Sequence, residues 1–246
     1  MKPRAFVAIL TAFLAVATTS TTVAASSDAS YAARIGERPV SLPILPGFTE
    51  PDDSMSKVRD VSTRALPANY RLVGLQVPQD YLDKVHAHDR SASLSRYCIV
   101  VTYRNFEASG MPPTVLAEVK RLMRDQGDKA MKLAAAQAAS SSDRMSTELG
   151  KLTGDKTATI SVGDYKSLGV FDEGANSIAL ATINPVNVSS AKLQSHYDQI
   201  TALAFVLIHG KPVAANFYAD YTSKSDIDWA ESQARAWIRR VNELNP

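Results

Sequence analysis

Hydrophobic alternation and helical spacing divide the chain into strand runs with helical regions set among them. In "ANYRLVGLQVP", Leu72, Val73, Leu75 and Val77 make a β-rich run that Pro78 closes. "QDYLDKVHAHD" reads as a short helix or turn with Tyr81, Leu82 and Val85 inward. "RYCIVVTYRNFE" is the strongest strand signal, rich in β-branched and aromatic residues, and its near-continuous apolar run predicts a central position. From Pro113, a good first-turn residue, Val115, Val119, Leu122 and Met123 recur at spacings of three and four and predict a long middle helix. Gly127 breaks or bends it. An Ala/Ser-rich helical insertion follows near 128–150, with a second helical piece around Asp143 to Lys151. Next come "ATISVGDY" and two apolar runs joined by "DEGANS", a hairpin loop. "SSAKLQSHYDQ" carries no clear pattern. After it stands a long hairpin with its turn at His209-Gly210-Lys211-Pro212.

The final element is a helix. Ser225 with Asp228 three residues on makes a capping-box pattern. Ile227, Ala230, Ala234, Trp237, Val241 and Leu244 then fall on one stripe, and Trp229 falls on the opposite side. The pattern predicts an α+β fold: a mostly antiparallel twisted sheet of about five to seven strands, packed against the middle helix and the C-terminal helix. Residues 66–246 make one such domain.

The segments before it are different. "MKPRAFVAILTAFLAVATTSTTVAASS" has Lys2 and Arg4, an apolar run from Phe6 to Ala17, and small residues ending at Ala25. That is the pattern of a signal peptide, residues 1–25, and it predicts a periplasmic or secreted protein. The run is too short to cross a bilayer, and no other run is long enough, so no membrane span is expected after cleavage. Residues 26–65 form an extended Pro-containing leader. "RPVSLPILPGFTEPDD" holds four prolines, and each fixes φ and removes a donor. The leader is expected across the domain surface with Ile44, Leu45 and Phe48 as anchors, and a short helix follows around Ser54 to Arg64.

Charge narrows the function. Of 27 Lys and Arg against 25 Asp and Glu, cleavage after Ala25 removes Lys2 and Arg4 and leaves the mature chain near neutral. It has no basic field for nucleic acid. The single Cys98 excludes an intramolecular disulfide and reads as a buried small hydrophobe.

Most catalytic signatures are missing from the chain. G-x-S-x-G, C-x-x-C, H-E-x-x-H and a Gly-rich phosphate loop are absent, and in "GKLTGDKT" Asp155 stands where a P-loop needs lysine. "HAHD" is the one His cluster. On a strand His86 and His88 would share a face and, with Asp83 or Asp89, could hold a metal, but two ligands without a fixed third make no site, and no metal or other cofactor is expected. Asp172 and Glu173 in "FDEG" read as a solvated turn. Asn187 in "NVS" is a glycan acceptor only in a eukaryotic secretory setting.

The aromatics of the last third remain. Phe217, Tyr218, Tyr221 and Trp229 are the expected partner or ligand surface, Trp229 first because it lies off the buried stripe. No catalytic residue is assigned. The expected function is an exported soluble accessory or binding protein without catalytic activity, its partner a protein of the cell envelope. The alternatives are an exported hydrolase built on His86, His88, Asp172 and Glu173, and a carrier of a small apolar ligand.

"LPGF", "ANYRLVGLQVPQDYL", "GVFDEGANSIALATI" and "GKPVAANFYADYTSKSDIDWAESQARAWIRRVNELN" resemble a group of uncharacterised secreted proteins of Gram-negative bacteria, in pieces across most of residues 42–245. The last quarter is also similar in layout to PsbP-like domains, with their antiparallel sheet, Gly-Lys hairpin and last helix ending near Asn. The resemblance implies export and a non-enzymatic accessory role, and it supplies no catalytic residues. The alanine-rich middle helix departs from the PsbP-like plan.

Overall fold

The computed structural model describes residues 29–89, 91–125, 141–151, 154–191 and 194–246. The proposed signal peptide and residues 128–140 of the Ala/Ser-rich insertion lie outside them. In chain order the elements are β1 (Ser30–Ile35), β2 (Arg38–Pro43), β3 (Phe48–Thr49), α1 (Ser56–Ala65), β4 (Tyr70–Pro78), α2 (Gln79–His86), β5 (Arg96–Tyr103), the single turn α3 (Arg104–Glu107) and α4 (Pro113–Asp125). Residues 141–151 form α5. Then follow β6 (Thr159–Val162), β7 (Lys166–Glu173), β8 (Ser177–Ser189), β9 (Gln194–Ile208), β10 (Lys211–Asp220) and α6 (Lys224–Leu244).

The fold is α+β. Eight strands make one antiparallel sheet in the order β3-β4-β5-β10-β9-β8-β6, with β7 also paired to β8. The eighth strand beyond the expected range is β3, a two-residue rung of the Pro-rich segment on Val77 and Pro78. β5 is internal, as its apolar run predicts, between β4 and β10. Cys98 lies fully buried in it, and burial pushes its thiol well above the ordinary range. It is an inert core residue.

The turn between β9 and β10 is tighter than expected. His209 and Gly210 both have positive φ, which makes a two-residue primed turn whose twist matches the strands. Lys211 and Pro212 already belong to β10, opposite Ile208 and Leu207. The patternless "QSHYDQ" is the first half of β9, paired with β8 from Gln194 onward. Its exposed and half-buried residues alternate, but Tyr197 is its one large hydrophobic side chain and cannot mark a period alone.

One face of the sheet carries α6. Ala179, Ala202, Ala204, Ala215 and Ala219 meet Ala230 and Ala234, so helix and sheet approach closely, and Trp237 fills the remaining space edge-on to Phe217. The other face carries α4. There Leu116 packs with Val101, Ile178, Phe205 and Leu207.

The 26–65 segment differs from the surface leader expected. β1 and β2 form a hairpin, and Ile35, Val40, Leu42, Leu45 and Phe48 are buried in the same cluster as Trp237. Its prolines sit at strand ends and bends, where a missing N–H costs little. Asn245 secures the hairpin to the end of α6: its side chain accepts from Ser41 N at 2.9 Å and donates to Ser41 O at 2.8 Å. At the hairpin turn a Cβ on Gly36 would stand 2.0 Å from the Glu107 carbonyl oxygen, so only glycine fits.

Candidate functional site

The cap of α6 organises the end of the sheet where β5 begins and β10 ends. The capping residue is Ser223 with Asp226, two residues before the expected Ser225 and Asp228. The same S-x-x-D spacing occurs in both registers. The earlier one wins because Asp226 also collects donors from the approach to the helix. Its Oδ2 accepts from Thr222 N, Thr222 Oγ1 and Ser223 N at 2.7–3.1 Å. Its Oδ1 accepts from Arg96 at 3.1 Å, across a sequence gap of 130 residues.

Burial alone would raise the Asp226 carboxyl. The hydrogen bonds from Thr222, Arg96 and Ser223 outweigh it and hold the group down to about 2. A depressed native value contributes stability above the unfolded carboxylate range, near pH 4, and loses it as pH falls toward 2. Asp226→Asn is therefore expected to cost ~1–2 kcal/mol near neutrality, the size of a lost helix cap, and progressively less toward pH 2. Urea denaturation of both proteins at pH 6, 4 and 2.5 measures this. A gap that does not narrow at low pH overturns the assignment.

Arg96 places its guanidinium 4.7 Å above the Trp229 ring, and Trp229 stacks on Phe48 with centroids 6.2 Å apart. Trp229 is thus half-buried, not turned to water on the far side of the helix. The leader supplies the wall it rests on. Beside these groups opens a cleft of about 460 Å³, bounded by the first turns of α2 (Asp80, Tyr81, Lys84), by Ser93 and Ser95, and by Asp220 and Thr222. Arg96 and Lys84 are its cations. Among the described residues Arg96 spends one N–H on Asp226, and Lys84 makes no ion pair.

The other expected surface residues distribute differently. Phe217 is fully buried against Trp237, because odd positions of β10 face α6, so it is a core residue and no part of a surface. Tyr218 lies on the opposite face, stacked on Tyr97 at 4.6 Å. Tyr221 is exposed just before α6. Of the four, Trp229 alone lines the cleft. Sequence reasoning missed Arg96 and Lys84, which lie far from Trp229 along the chain and in no motif. Phe48 was expected only as an anchor.

The His cluster resolves into structural contacts. His86 Nε2 lies 3.0 Å from Ser54 Oγ and 3.3 Å from Asp52 Oδ2. A Ser-His-Asp triad needs serine and aspartate on different ring nitrogens, so that the carboxylate orients the base. Here both meet the same nitrogen, and the trio instead ties the end of α2 to the turn before α1. His88 stands exposed in the turn after α2. Glu173 is engaged by Arg124 and Lys120 of α4. Asp172 and Glu173 lie on β7, five inter-strand steps from the β4 edge that α2 packs on, on the order of 24 Å. "HAHD" and "FDEG" cannot share an acid-base site.

A second cavity of about 610 Å³ lies by the β9–β10 turn. Lys211 there is buried and donates to the Glu107 and Ala108 carbonyls, finishing the α3 turn. The Gly-Lys pair of the hairpin is thus structural. Among the described residues no helix is long and apolar enough to cross a membrane.

No family model matches this chain, and no curated protein matches it. Two solved structures are similar in outline. One is the Saccharomyces cerevisiae Ran-binding protein Mog1p, at 11% identity over 89% of this chain and 93% of that one, with a TM-score of 0.34. The other is a point mutant of protein Mog1, at 10% identity over 88% and 93%, with a TM-score of 0.33. Likeness at that level carries no functional meaning, so the reading of function rests on the cleft.

Proposed function

We propose that this chain is an exported accessory protein that binds a partner polypeptide, without catalysis, at the cleft between α2 and the start of α6. One observation carries the reading: a tryptophan and an arginine are stacked and half-exposed at the mouth of an open, preformed cleft. Those two residue types dominate the energetics of protein interfaces. The cleft is lined by polar groups and open on one side, whereas sites for small apolar molecules are enclosed and mostly apolar. Its best-placed carboxylate, Asp226, is spent on the helix cap. Export draws support from the leader pattern and from spacing: cleavage after Ala25 falls five residues before β1 and spares every core strand.

A photo-crosslinking amino acid at position 229, expressed in the native host, tests this. The expected result is an adduct to one polypeptide species, absent when the same group replaces exposed Leu168 on the far edge of the sheet. Equal, diffuse labelling from both positions overturns the reading. So does a small molecule or metal retained by the mature protein in native mass spectrometry, which favours the carrier.

A further inference from the structure

We infer that the cleft recognises a single acidic side chain, Asp or Glu, within an internal segment of its partner, through Arg96 and Lys84. This rests on the partner-binding reading above. Arg96 is held ready for the task. The Trp229 ring covers the guanidinium at 4.7 Å, and Asp226 fixes one of its N–H groups at 3.1 Å. The side chain as a whole remains 40% exposed, and only one of its N–H groups is engaged by Asp226. A guanidinium anchored in this way loses little freedom when it binds a carboxylate, and its geometry matches two oxygens at once. Lys84, on α2, lines the same cleft and adds a second positive charge, and Ser93 and Ser95 line it too.

The remaining charges set the limit. Asp80 and Asp220 also line the cleft. With Asp226 they set three carboxylates against two cations, which disfavours a polyanion such as a phosphorylated segment or an acidic tract. A single carboxylate meets less of that repulsion. Because the cleft is open, an internal segment can pass across it, and no chain terminus is called for.

The probes are two blocked amino acids, N-acetylglutamate N′-methylamide and its glutamine counterpart, titrated to about 50 mM against the full mature protein while the Trp229 indole N–H is followed by NMR. The expected result is a saturable shift with the glutamate compound that is at least about tenfold weaker with the glutamine one, the size of a charge-assisted pair. Lys84→Met, at an exposed position with no described ion pair, should weaken it severalfold with unchanged melting. Arg96→Lys, which keeps charge and loses the fork, should weaken it about tenfold. Equal response to both compounds, no saturable response to either, or indifference to Lys84→Met overturns the inference. The crosslink at position 229 separates the two readings. If it persists while the probes fail, the partner site stands and only the carboxylate is wrong; if both fail, both fall.

Discussion

Trp237→Ala is expected to remove about 3–5 kcal/mol of stability, the range for truncating a large buried aromatic. Trp237 is 1% exposed, at the centre of the interface between α6 and the sheet. Its cluster includes the small side chains of Ala202, Ala204, Ala215, Ala230 and Ala234, which cannot reach in to fill the void. Helix and sheet backbones are already close, so relaxation is small and the cavity term stays near its full size. For a chain of this length the loss corresponds to a fall in melting temperature of roughly 6–20 °C. Trp237→Phe separates volume from polarity. The indole nitrogen has no hydrogen-bond partner among the described residues, so phenylalanine should retain much of the lost stability. Thermal and urea denaturation of the three proteins measure this. A loss below ~1 kcal/mol for the alanine variant would mean that α6 is not integral to the core.

The second large effect concerns the N-terminal segment. A protein beginning at residue 49 is expected to show no cooperative unfolding transition. Deletion removes Ile35, Val40, Leu42, Leu45 and Phe48, all buried in the cluster that holds Trp237. At ~1.5–3 kcal/mol for each fully buried side chain, the sum is comparable to the whole stability of an ordinary domain. It also exposes the β1–β2 side of α6 and removes both Asn245 bonds to Ser41. Leu42→Ala gives a graded control and should cost about 2–5 kcal/mol with the fold retained. Circular dichroism melting and amide chemical-shift dispersion distinguish the outcomes. A truncated protein that melts at the parent temperature would make the hairpin a dispensable cover.

Elements whose side chains follow a strict period were legible in the sequence: the α6 stripe, α2, β5 and the β7–β8 hairpin all stand where periodicity places them. The structure departs where the deciding contact is remote. The S-x-x-D spacing fits Ser223 and Ser225 alike; the choice is made by the donors of Thr222 and Ser223 on Asp226 together with Arg96 from another strand. The prolines of residues 38–53 announced extended chain, but the burial of Ile35, Val40 and Leu42 depends on a helix two hundred residues later. Phe217 and Tyr218 are adjacent aromatics in one strand, and only the facing of β10 sends one to the core and the other to the opposite face. The candidate site was visible through a single residue, Trp229, because it breaks a pattern. Arg96 and Lys84 break none.

The strand order has a temporal consequence. β5 lies beside β10, so residues 96–103 must wait for residues 213–219 before the sheet can close. The β1–β2 hairpin waits longer still, for Asn245 at the very end of α6. Such non-local pairing delays assembly until synthesis is almost complete. Local pairs such as β4–β5 and β8–β9 can form as soon as they emerge, but the two halves of the sheet join only through the last strand made, β10.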